Sequence, residues 1–228
     1  MDDLTREKPK AMISVGGKPA IEKMLQSMRA EGIRDISVVR GYKPEAMKPA
    51  GVTFFDNEDW EGNGELGSLA AARDALTGEV VVAYGDVIFK RYILHLLLSS
   101  DAPITLIVDS SLDFVQEGRA VDRVRVSGPA PSPYEEAENW LEAIGADLAD
   151  DQVSGQWIGM FRTRGEGTEL FREAFDEVVQ REGSEGLDLC AVFDLIAQRD
   201  PRSVRVIYVQ GDWIDINSLD DVARSGDV

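Results

Sequence analysis

Apolar and polar positions follow two different periods along this chain. Between residues 20 and 31 the apolar residues recur every three or four positions, which predicts an amphipathic helix that ends at Gly32. Residues 33–39 and 52–55 are short apolar runs typical of strands. Helices that alternate with strands indicate an α/β fold, a Rossmann-like mixed and mostly parallel sheet flanked by helices, with a small lobe added.

The most informative apolar run covers residues 80–89 and is broken only by Gly85 and Asp86. Such a run predicts a buried strand with a carboxylate at the point where it ends. Ligands of open α/β sheets collect outside the carboxyl ends of strands, so Asp86 is well placed to hold a cation such as Mg2+ against phosphates. A Gly-Asp pair also forms ordinary turns in which the Asp caps the next helix, and that alternative stays open.

The second half of the chain continues the alternation of elements. Residues 104–108, 157–161 and 204–209 read as strands, and residues 92–98, 169–182 and 189–198 as helices. Residues 119–126 alternate in polarity, which predicts an exposed hairpin strand. The rigid Gly- and Pro-rich loop at residues 128–133 marks the place where a lobe crosses over the sheet.

Two loops have the composition of phosphate or nucleotide contacts. Pro9 keeps its neighbours extended, so that Lys8 and Lys10 lie on a loop and not within a helix. Residues 64–68 place glycines and a serine before the helical run 69–76, where free backbone N–H groups and the helix dipole suit a nucleotide. Many helices begin with Gly-Ser only as a cap, so this signal alone is weak.

Composition limits the classes of partner. The formal net charge of -18 argues against a nucleic-acid or anionic-membrane surface. One cysteine and one histidine exclude an internal disulfide and a zinc site. The sequence contains no apolar run long enough for a membrane span and no signal peptide, which predicts a cytoplasmic protein.

Several spaced motifs together resemble one superfamily. They are a Leu-Thr pair at residues 4–5 followed by Lys-Pro-Lys at 8–10, Val-Gly-Gly-Lys-Pro at 15–19, Gly-Tyr at 41–42, Gly-Glu-Leu-Gly-Ser-Leu at 64–69, Tyr-Gly-Asp at 84–86 and Trp-Ile-Asp-Ile-Asn at 213–217. In this order they resemble nucleotidyltransferases, and most of all the CTP:phosphonate cytidylyltransferases, including the domain fused to phosphoenolpyruvate mutase in phosphonate biosynthesis. The resemblance covers nearly the whole chain.

The resemblance implies a reaction and a set of residues. The reaction is Mg2+-dependent transfer of CMP from CTP to a small phosphonate, with release of pyrophosphate. Lys10 and Asp86 would be catalytic, while Asp86, Asn217 and Asp215 would hold Mg2+. The nucleotide would contact Leu4, Thr5, Lys10, Gly64, Gly67, Ser68, Gly85 and Asp86.

The acceptor side is implied less specifically. Arg123 and Arg119 would receive the phosphonate, with Asp109, Trp157 and Trp213 beside it. Tryptophan rings can instead cage a choline ammonium, so phosphocholine remains an alternative acceptor, as does a sugar 1-phosphate. A glycosyltransferase is disfavoured, because its metal loop usually carries two aspartates and residues 85–88 carry one. Fusion to, or association with, another enzyme of phosphonate metabolism is the implied partnership.

One departure from the superfamily pattern stands at the N-terminus. The superfamily normally opens with a buried strand and a Gly-rich loop, and Met1-Asp2-Asp3 stands in their place. Either the sequence begins downstream of the natural start or the protein is a catalytically inactive nucleotide-binding or assembly domain. We favour the first alternative, because a gap beside a central strand would expose the core. Residues 1–228 are therefore expected to form a single nucleotidyltransferase domain with an acceptor-side lobe at about 110–160.

Overall fold

The structure, a computed structural model, describes residues 5–113, 121–128, 138–181, 188–217 and 219–224. Its helices are α1 (Ala20–Ala30), α2 (Trp60–Ala71), α3 (Arg91–Ser99), α4 (Glu166–Val179), α5 (Leu189–Arg199) and α6 (Leu219–Arg224). Single 3-10 turns occur at Lys10–Met12, Pro44–Ala46, Arg73–Ala75 and Asp150–Gln152. None of the helices in the described ranges has the length and apolarity that crossing a bilayer requires.

The strands are short except near the centre of the largest sheet. They are β1 (Ser14–Val15), β2 (Lys18–Pro19), β3 (Ser37–Arg40), β4 (Thr53–Asp56), β5 (Val80–Ala83), β6 (Val87–Phe89), β7 (Ile104–Asp109), β8 (Arg123–Ser127), β9 (Asn139–Ile144), β10 (Gly155–Thr163), β11 (Val204–Val209) and β12 (Trp213–Asp215).

The chain divides into two compact units. The first unit contains Met1–Ala75, Ala83–His95 and Asp212–Val228, and the second contains Leu76–Val82 and Leu96–Gly211. The described part of the expected lobe at about 110–160 belongs to the second unit. The expectation of a single domain with an acceptor-side lobe stays a prediction.

The described part of the first unit is built around one amphipathic helix and three two-stranded sheets, one of which pairs β1 with β2 antiparallel. Helix α1 buries Ala20, Ile21, Met24, Leu25 and Met28, which recur at the spacing of one helix face. Strands β3 and β4 pair in parallel, and β6 pairs with β12 antiparallel. A small core of Ile13, Val15, Ala20, Ile88 and Ile216 therefore joins the beginning, the middle and the end of the sequence.

The second unit contains a six-stranded sheet in the order β5-β10-β7-β11-β9-β8, in which β8 also pairs with β10. All residues of β7 and β10 are buried. Trp157, Phe161, Phe171 and Phe193 form an aromatic cluster with ring centroids 4.9–6.4 Å apart. This cluster packs β10 against α4 and α5.

The predicted mixed α/β class is confirmed, but the strand directions are more varied than expected. Strands β3–β4 and β7–β11 are parallel, whereas β10–β7, β10–β8, β11–β9 and β8–β9 are antiparallel. Strand β5 stands at one end of the sheet order and its four residues are half-buried, so it is not the central, fully buried strand expected from its apolar sequence. An apolar sequence indicates that a strand is buried, whatever elements cover it. It does not identify which strand lies beside it.

Candidate active site

Asp86 lies in the turn between β5 and β6, and a backbone contact brings the C-terminal motif beside it. The N–H of Ile216 donates a hydrogen bond to the carbonyl of Asp86, with an N–O distance of 3.1 Å. The same pairing sets Asp215 opposite Val87 in the antiparallel β6–β12 ladder. Residues 215–217 are thus held next to Asp86 by main-chain geometry, which substitution of their side chains leaves in place.

Lys10 reaches the same place from the N-terminal loop. Pro9 is extended, with φ -60° and ψ 155°, and the 3-10 turn at Lys10–Met12 follows it directly. The Lys10 Nζ donates to Asn217 Oδ1 at 2.7 Å and lies 3.6 Å from Asp86 Oδ2. The structure therefore brings Lys10, Asp86 and Asn217 together at one ammonium group.

Asp215 is the electrostatically strained member of this cluster. Its Oδ2 accepts a hydrogen bond from Asn217 Nδ2, while its Oδ1 is buried and has no hydrogen-bond partner among the residues that the structure describes. Burial raises the pKa of Asp215 to about 6, and the Asp86 carboxylate acts in the same direction, whereas Asn217 and Lys10 oppose it. The carboxylates of Asp86 and Asp215 therefore lie close together in a partly desolvated environment, with the ammonium of Lys10 nearby.

The donor set fits a hard divalent cation. Asp86, Asp215 and Asn217 offer only carboxylate and amide oxygens, which are the ligands that Mg2+ accepts in proteins. A positive charge at this place would pair with Asp215 Oδ1, and it would lower the raised pKa of that carboxyl. These residues are the ones that would hold the metal.

Gly64 breaks α2 into two helical segments that meet at a kink, and the second segment begins just after Gly64, within the residues 64–68 expected at a helix start. Gly64 has φ 56° and ψ -142°, a conformation that only glycine adopts readily, and helical geometry resumes after it. Ser68 Oγ donates to the Gly64 carbonyl at 2.8 Å. A Cβ added to Gly67 would lie 2.0 Å from Asn63 Cγ, so the Asn63 side chain covers that glycine.

Two further contacts tie the predicted nucleotide residues into the first unit. The Tyr84 hydroxyl donates to Glu65 Oε2, which links the kinked helix to the turn that contains Asp86. Gly85 in that turn is exposed, and an added Cβ would be in ordinary contact with Ala11 Cβ at 3.7 Å. Space alone does not demand glycine at that position.

The start of the chain is held through its backbone. The Arg6 carbonyl accepts hydrogen bonds from the Tyr42 hydroxyl, at 3.0 Å, and from Lys43 Nζ. Thr5 begins the described residues and is half-buried, whereas Leu4 lies outside them. The Gly-Tyr motif at residues 41–42 therefore anchors the loop that leads to Lys10.

Most of the residues expected around the acceptor belong to the second unit and have structural partners there. Arg123 Nη1 donates to the Leu148 carbonyl and to Asp150 Oδ1, at 2.6 and 2.5 Å. Asp109 is buried, and its two oxygens accept from the backbone N–H groups of Ser111 and Gly211, at 2.8 and 3.2 Å.

The aromatic candidates differ in exposure. Trp157 is only 4% exposed, and its Nε1 donates to the Met160 carbonyl at 2.9 Å within the aromatic cluster. Because the Trp157 side chain is packed in the core, this burial leaves no face of its ring accessible to a ligand. Trp213 is half-buried in β12 of the first unit, opposite Phe89. Arg119 lies outside the described residues.

The sequence alone did not identify Asn57, Asn63 or Asp221 as residues that support the site. Asn57 and Asn63 hydrogen-bond to each other through both carboxamides and brace the kink at Gly64. Asp221 is buried, and its Oδ2 accepts from the Asn217 N–H at 3.0 Å, which orients the C-terminal motif. The only available signal was the polar composition of residues 57–63, which any surface turn shares.

Comparison with known proteins agrees with this geometry. Residues 4–111 match the family model of the MobA-like NTP transferase domain. The chain is 20% identical over 245 aligned positions to CTP:phosphoglutamine cytidylyltransferase of Campylobacter jejuni, across 96% of this chain and 91% of that protein. It is 31% identical over 96 residues to 2-aminoethylphosphonate cytidylyltransferase of Lancefieldella rimae, across 40% of this chain and 39% of that protein.

A solved structure extends the similarity to the fold of nearly the whole chain. CTP:phosphocholine cytidylyltransferase from Streptococcus pneumoniae superposes with a TM-score of 0.66 at 18% identity, covering 98% of this chain and 91% of that one. The resemblance predicted from the motifs is confirmed by these matches. Residues 4–111 match a MobA-like NTP transferase domain, and the relatives of the chain support a place in the nucleotidyltransferase superfamily with a resemblance to cytidylyltransferases.

Proposed function

We propose that this protein is a cytidylyltransferase that transfers CMP from CTP to a small phosphonate in the presence of Mg2+ and releases pyrophosphate. The observation that carries the proposal is the cluster of Lys10, Asp86, Asp215 and Asn217, in which one ammonium and three oxygen-bearing side chains meet. The cytidylyltransferases among its relatives support the choice of CTP.

The chemistry needs charge neutralisation more than it needs a nucleophilic side chain. A phosphonate oxygen attacks the α-phosphorus of CTP, a new P–O bond forms, and the bond from that phosphorus to the oxygen bridging to the β-phosphate breaks. Both reactants are anions, so binding must offset their repulsion and align them. No proton has to be transferred when the attacking oxygen is already ionised.

Lys10 is the residue that this protein would bring to the reacting phosphates. Its side chain is 43% exposed, so a phosphate oxygen could take the place of Asn217 at its ammonium. It would orient the triphosphate and stabilise the charge that develops on it. Asp86, Asp215 and Asn217 would hold Mg2+, which when bound neutralises phosphate charge.

The nucleotide would lie against the kinked part of α2. Glycine at position 64 lets the backbone approach a flat base closely, and Ser68 offers a hydroxyl there. The larger purine rings of ATP and GTP would fit this approach less well. CTP should therefore bind more tightly than ATP or GTP.

The acceptor is chosen among phosphate-bearing molecules, and two alternatives have support. The relative that acts on 2-aminoethylphosphonate favours a phosphonate. The structural likeness to CTP:phosphocholine cytidylyltransferase keeps phosphocholine as a second candidate. A sugar 1-phosphate is the third acceptor class, and a catalytically inactive nucleotide-binding domain is the alternative to an enzyme.

The test is release of pyrophosphate by the full chain with CTP and Mg2+. The acceptors are 2-aminoethylphosphonate, phosphocholine and glucose 1-phosphate, each assayed separately beside a reaction without acceptor. We expect release with the phosphonate and at most slow release with the others. Faster release with phosphocholine would replace the acceptor, and CTP binding without release on any acceptor would favour the inactive domain.

A further inference from the structure

A short chain of hydrogen bonds connects two backbone groups on either side of the kink in α2. The Asp59 N–H donates to Asn57 Oδ1 at 3.2 Å, and Asn57 Nδ2 donates to Ser68 Oγ at 3.1 Å. Ser68 Oγ in turn donates to the Gly64 carbonyl at 2.8 Å. The four residues are spaced over the end of β4 and both halves of α2, so their side chains couple these segments.

The direction of this chain is fixed by its two ends. A backbone N–H can only donate, so the carboxamide of Asn57 must turn its oxygen toward Asp59 and its nitrogen toward Ser68. A backbone carbonyl can only accept, so the hydroxyl hydrogen of Ser68 points to Gly64. Ser68 Oγ has two lone pairs, of which Asn57 occupies one. The lone pair that remains makes Ser68 a hydrogen-bond acceptor for a ligand.

Asn57 is a rigid anchor for this arrangement. It is only 6% exposed, and its amide N–H donates to the Arg40 carbonyl at 2.7 Å. Its carboxamide also exchanges two hydrogen bonds with Asn63, at 2.7 and 3.2 Å, and Asn63 covers Gly67. The side chain of Asn57 therefore cannot rotate to let Ser68 reverse its hydrogen bonds.

We propose that Asn57 is a positioning residue for base selection, because it holds Ser68 as an acceptor and so favours cytosine over uracil. This inference rests on the proposed function and on the placement of the base beside residues 64–68. Cytosine carries an exocyclic amino group, which donates hydrogen bonds, where uracil carries a carbonyl oxygen, which only accepts. When Ser68 is held as an acceptor, it can form a hydrogen bond with the amino group of cytosine. The carbonyl oxygen of uracil would instead face a lone pair of Ser68.

The experiment compares the Kd values of CTP and UTP in Mg2+ by calorimetry, in a double-mutant cycle of Asn57→Ala and Ser68→Ala. Asn57 Nδ2 keeps the Ser68 side chain in the rotamer in which its hydroxyl reaches the Gly64 carbonyl. Without Asn57 this side chain is free to turn about its Cα–Cβ bond, leave that carbonyl and donate outward, so Asn57→Ala should reduce the ratio of the UTP Kd to the CTP Kd about tenfold, the effect of one hydrogen bond. In the Ser68→Ala background the same substitution should leave that ratio unchanged, because no hydroxyl remains to be oriented.

Two further variants separate positioning from folding. Asn139 is a second buried asparagine, 5% exposed, in the second unit, and Asn139→Ala should lower the melting temperature without changing the ratio. If Asn57→Ala does not fold, Asn57→Ser replaces it, because a serine can still accept from Asp59 but is too short to reach Ser68. It should reduce the ratio in the same way.

The outcomes distinguish this inference from the proposed function. A wild-type protein that binds CTP no more tightly than UTP would remove the cytidylyl assignment, and the inference with it. A wild-type preference for CTP that persists in Asn57→Ala would overturn the inference alone. An equal loss of preference with and without the Ser68 hydroxyl would also overturn it, because the effect would then not pass through Ser68.

Discussion

The side chain of Asp86 contributes little to packing. It is 27% exposed and forms an ion pair with Lys10 at 3.6 Å, while the Asp86 backbone carbonyl holds the C-terminal motif. Asp86→Ala should therefore keep the fold and lose turnover, since loss of charge neutralisation costs several kcal/mol of transition-state stabilisation. The measurements are pyrophosphate release at saturating Mg2+ and the midpoint of urea unfolding.

The matched control for this substitution is Asp35→Ala. Asp35 is an exposed aspartate of the same unit, so its removal should change neither turnover nor stability appreciably. Near-normal turnover of Asp86→Ala, judged against this control, would contradict the assignment of Asp86 to the site.

Substitution of Asp215, unlike that of Asp86, is expected to stabilise the fold while it removes function. Its folded-state pKa of about 6 exceeds the ordinary 3.8, so the folded protein binds its proton more tightly than the unfolded chain does. The stability that this proton contributes is present below about pH 4 and is lost as pH rises through about 6. Asp215→Asn should therefore unfold less readily than wild type at pH 7.5, by about 1 kcal/mol after allowance for solvent screening.

The measurement for Asp215→Asn is urea unfolding at pH 5 and pH 7.5 without Mg2+. The advantage of the variant over the wild type should grow between the two pH values, because only the wild type loses its proton there. An advantage that is equal at both pH values would show that the strain on this carboxyl is not electrostatic.

At the scale of elements, α2 depends on a glycine for a reason other than backbone angles. A Cβ at Gly67 would meet the Asn63 side chain at 2.0–2.3 Å, and Asn63 is itself fixed by Asn57. Gly67→Val should weaken CTP binding and also lower the free energy of unfolding by about 1–3 kcal/mol, as overpacking does. Calorimetry with CTP and urea unfolding measure the two effects.

Relief of the clash provides the control for Gly67. In an Asn63→Ala background the space over position 67 is open, so the stability cost of Gly67→Ala should become small there, whereas it should be appreciable when Asn63 is present. If the cost is the same in both backgrounds, the steric explanation is wrong.

Periodicity predicted the individual elements better than it predicted their neighbours. Strand β11 was expected at the residues where it occurs, and α1 ends within one residue of its expected end. Strand β9 was missed, because its inward positions include Asn139 and it lies within the acidic stretch of residues 135–151. The helix expected after residues 64–68 corresponds to the second segment of α2, beyond the kink at Gly64, whereas the first segment, which begins at Trp60, was missed.

The site was predictable only where motifs carried it. Lys10, Asp86, Asp215 and Asn217 were grouped by resemblance, and their proximity arises from a contact between the backbones of residues 86 and 216 that no local pattern reports. Asp109 and Trp157 were expected beside the acceptor. Both are buried and have structural hydrogen-bond partners in the second unit.

At the scale of the whole molecule, net charge opposes the proposed substrates. A charge of -18 repels CTP and a phosphonate at long range, although Lys10 attracts them at short range. Salt shortens the Debye length from about 30 Å at 0.01 M to about 8 Å at 0.15 M, which screens the distant charges first. At fixed free Mg2+, kcat/KM for CTP should therefore hold or rise over this range, and a steep fall would show that local lysines dominate the encounter.

The position of Lys10 between Asp86 and Asn217 would make this lysine a competitor of the metal ion as well as a catalytic residue. A cation that arrives alone must displace an ammonium, whereas one that arrives with a triphosphate offers Lys10 a new partner at the same moment. We expect ordered addition, in which the metal enters as its CTP complex. Lys10→Met should then bind free Mg2+ about tenfold more tightly than wild type while losing turnover, and unchanged or weaker binding of free Mg2+ by this variant in calorimetry would contradict the competition.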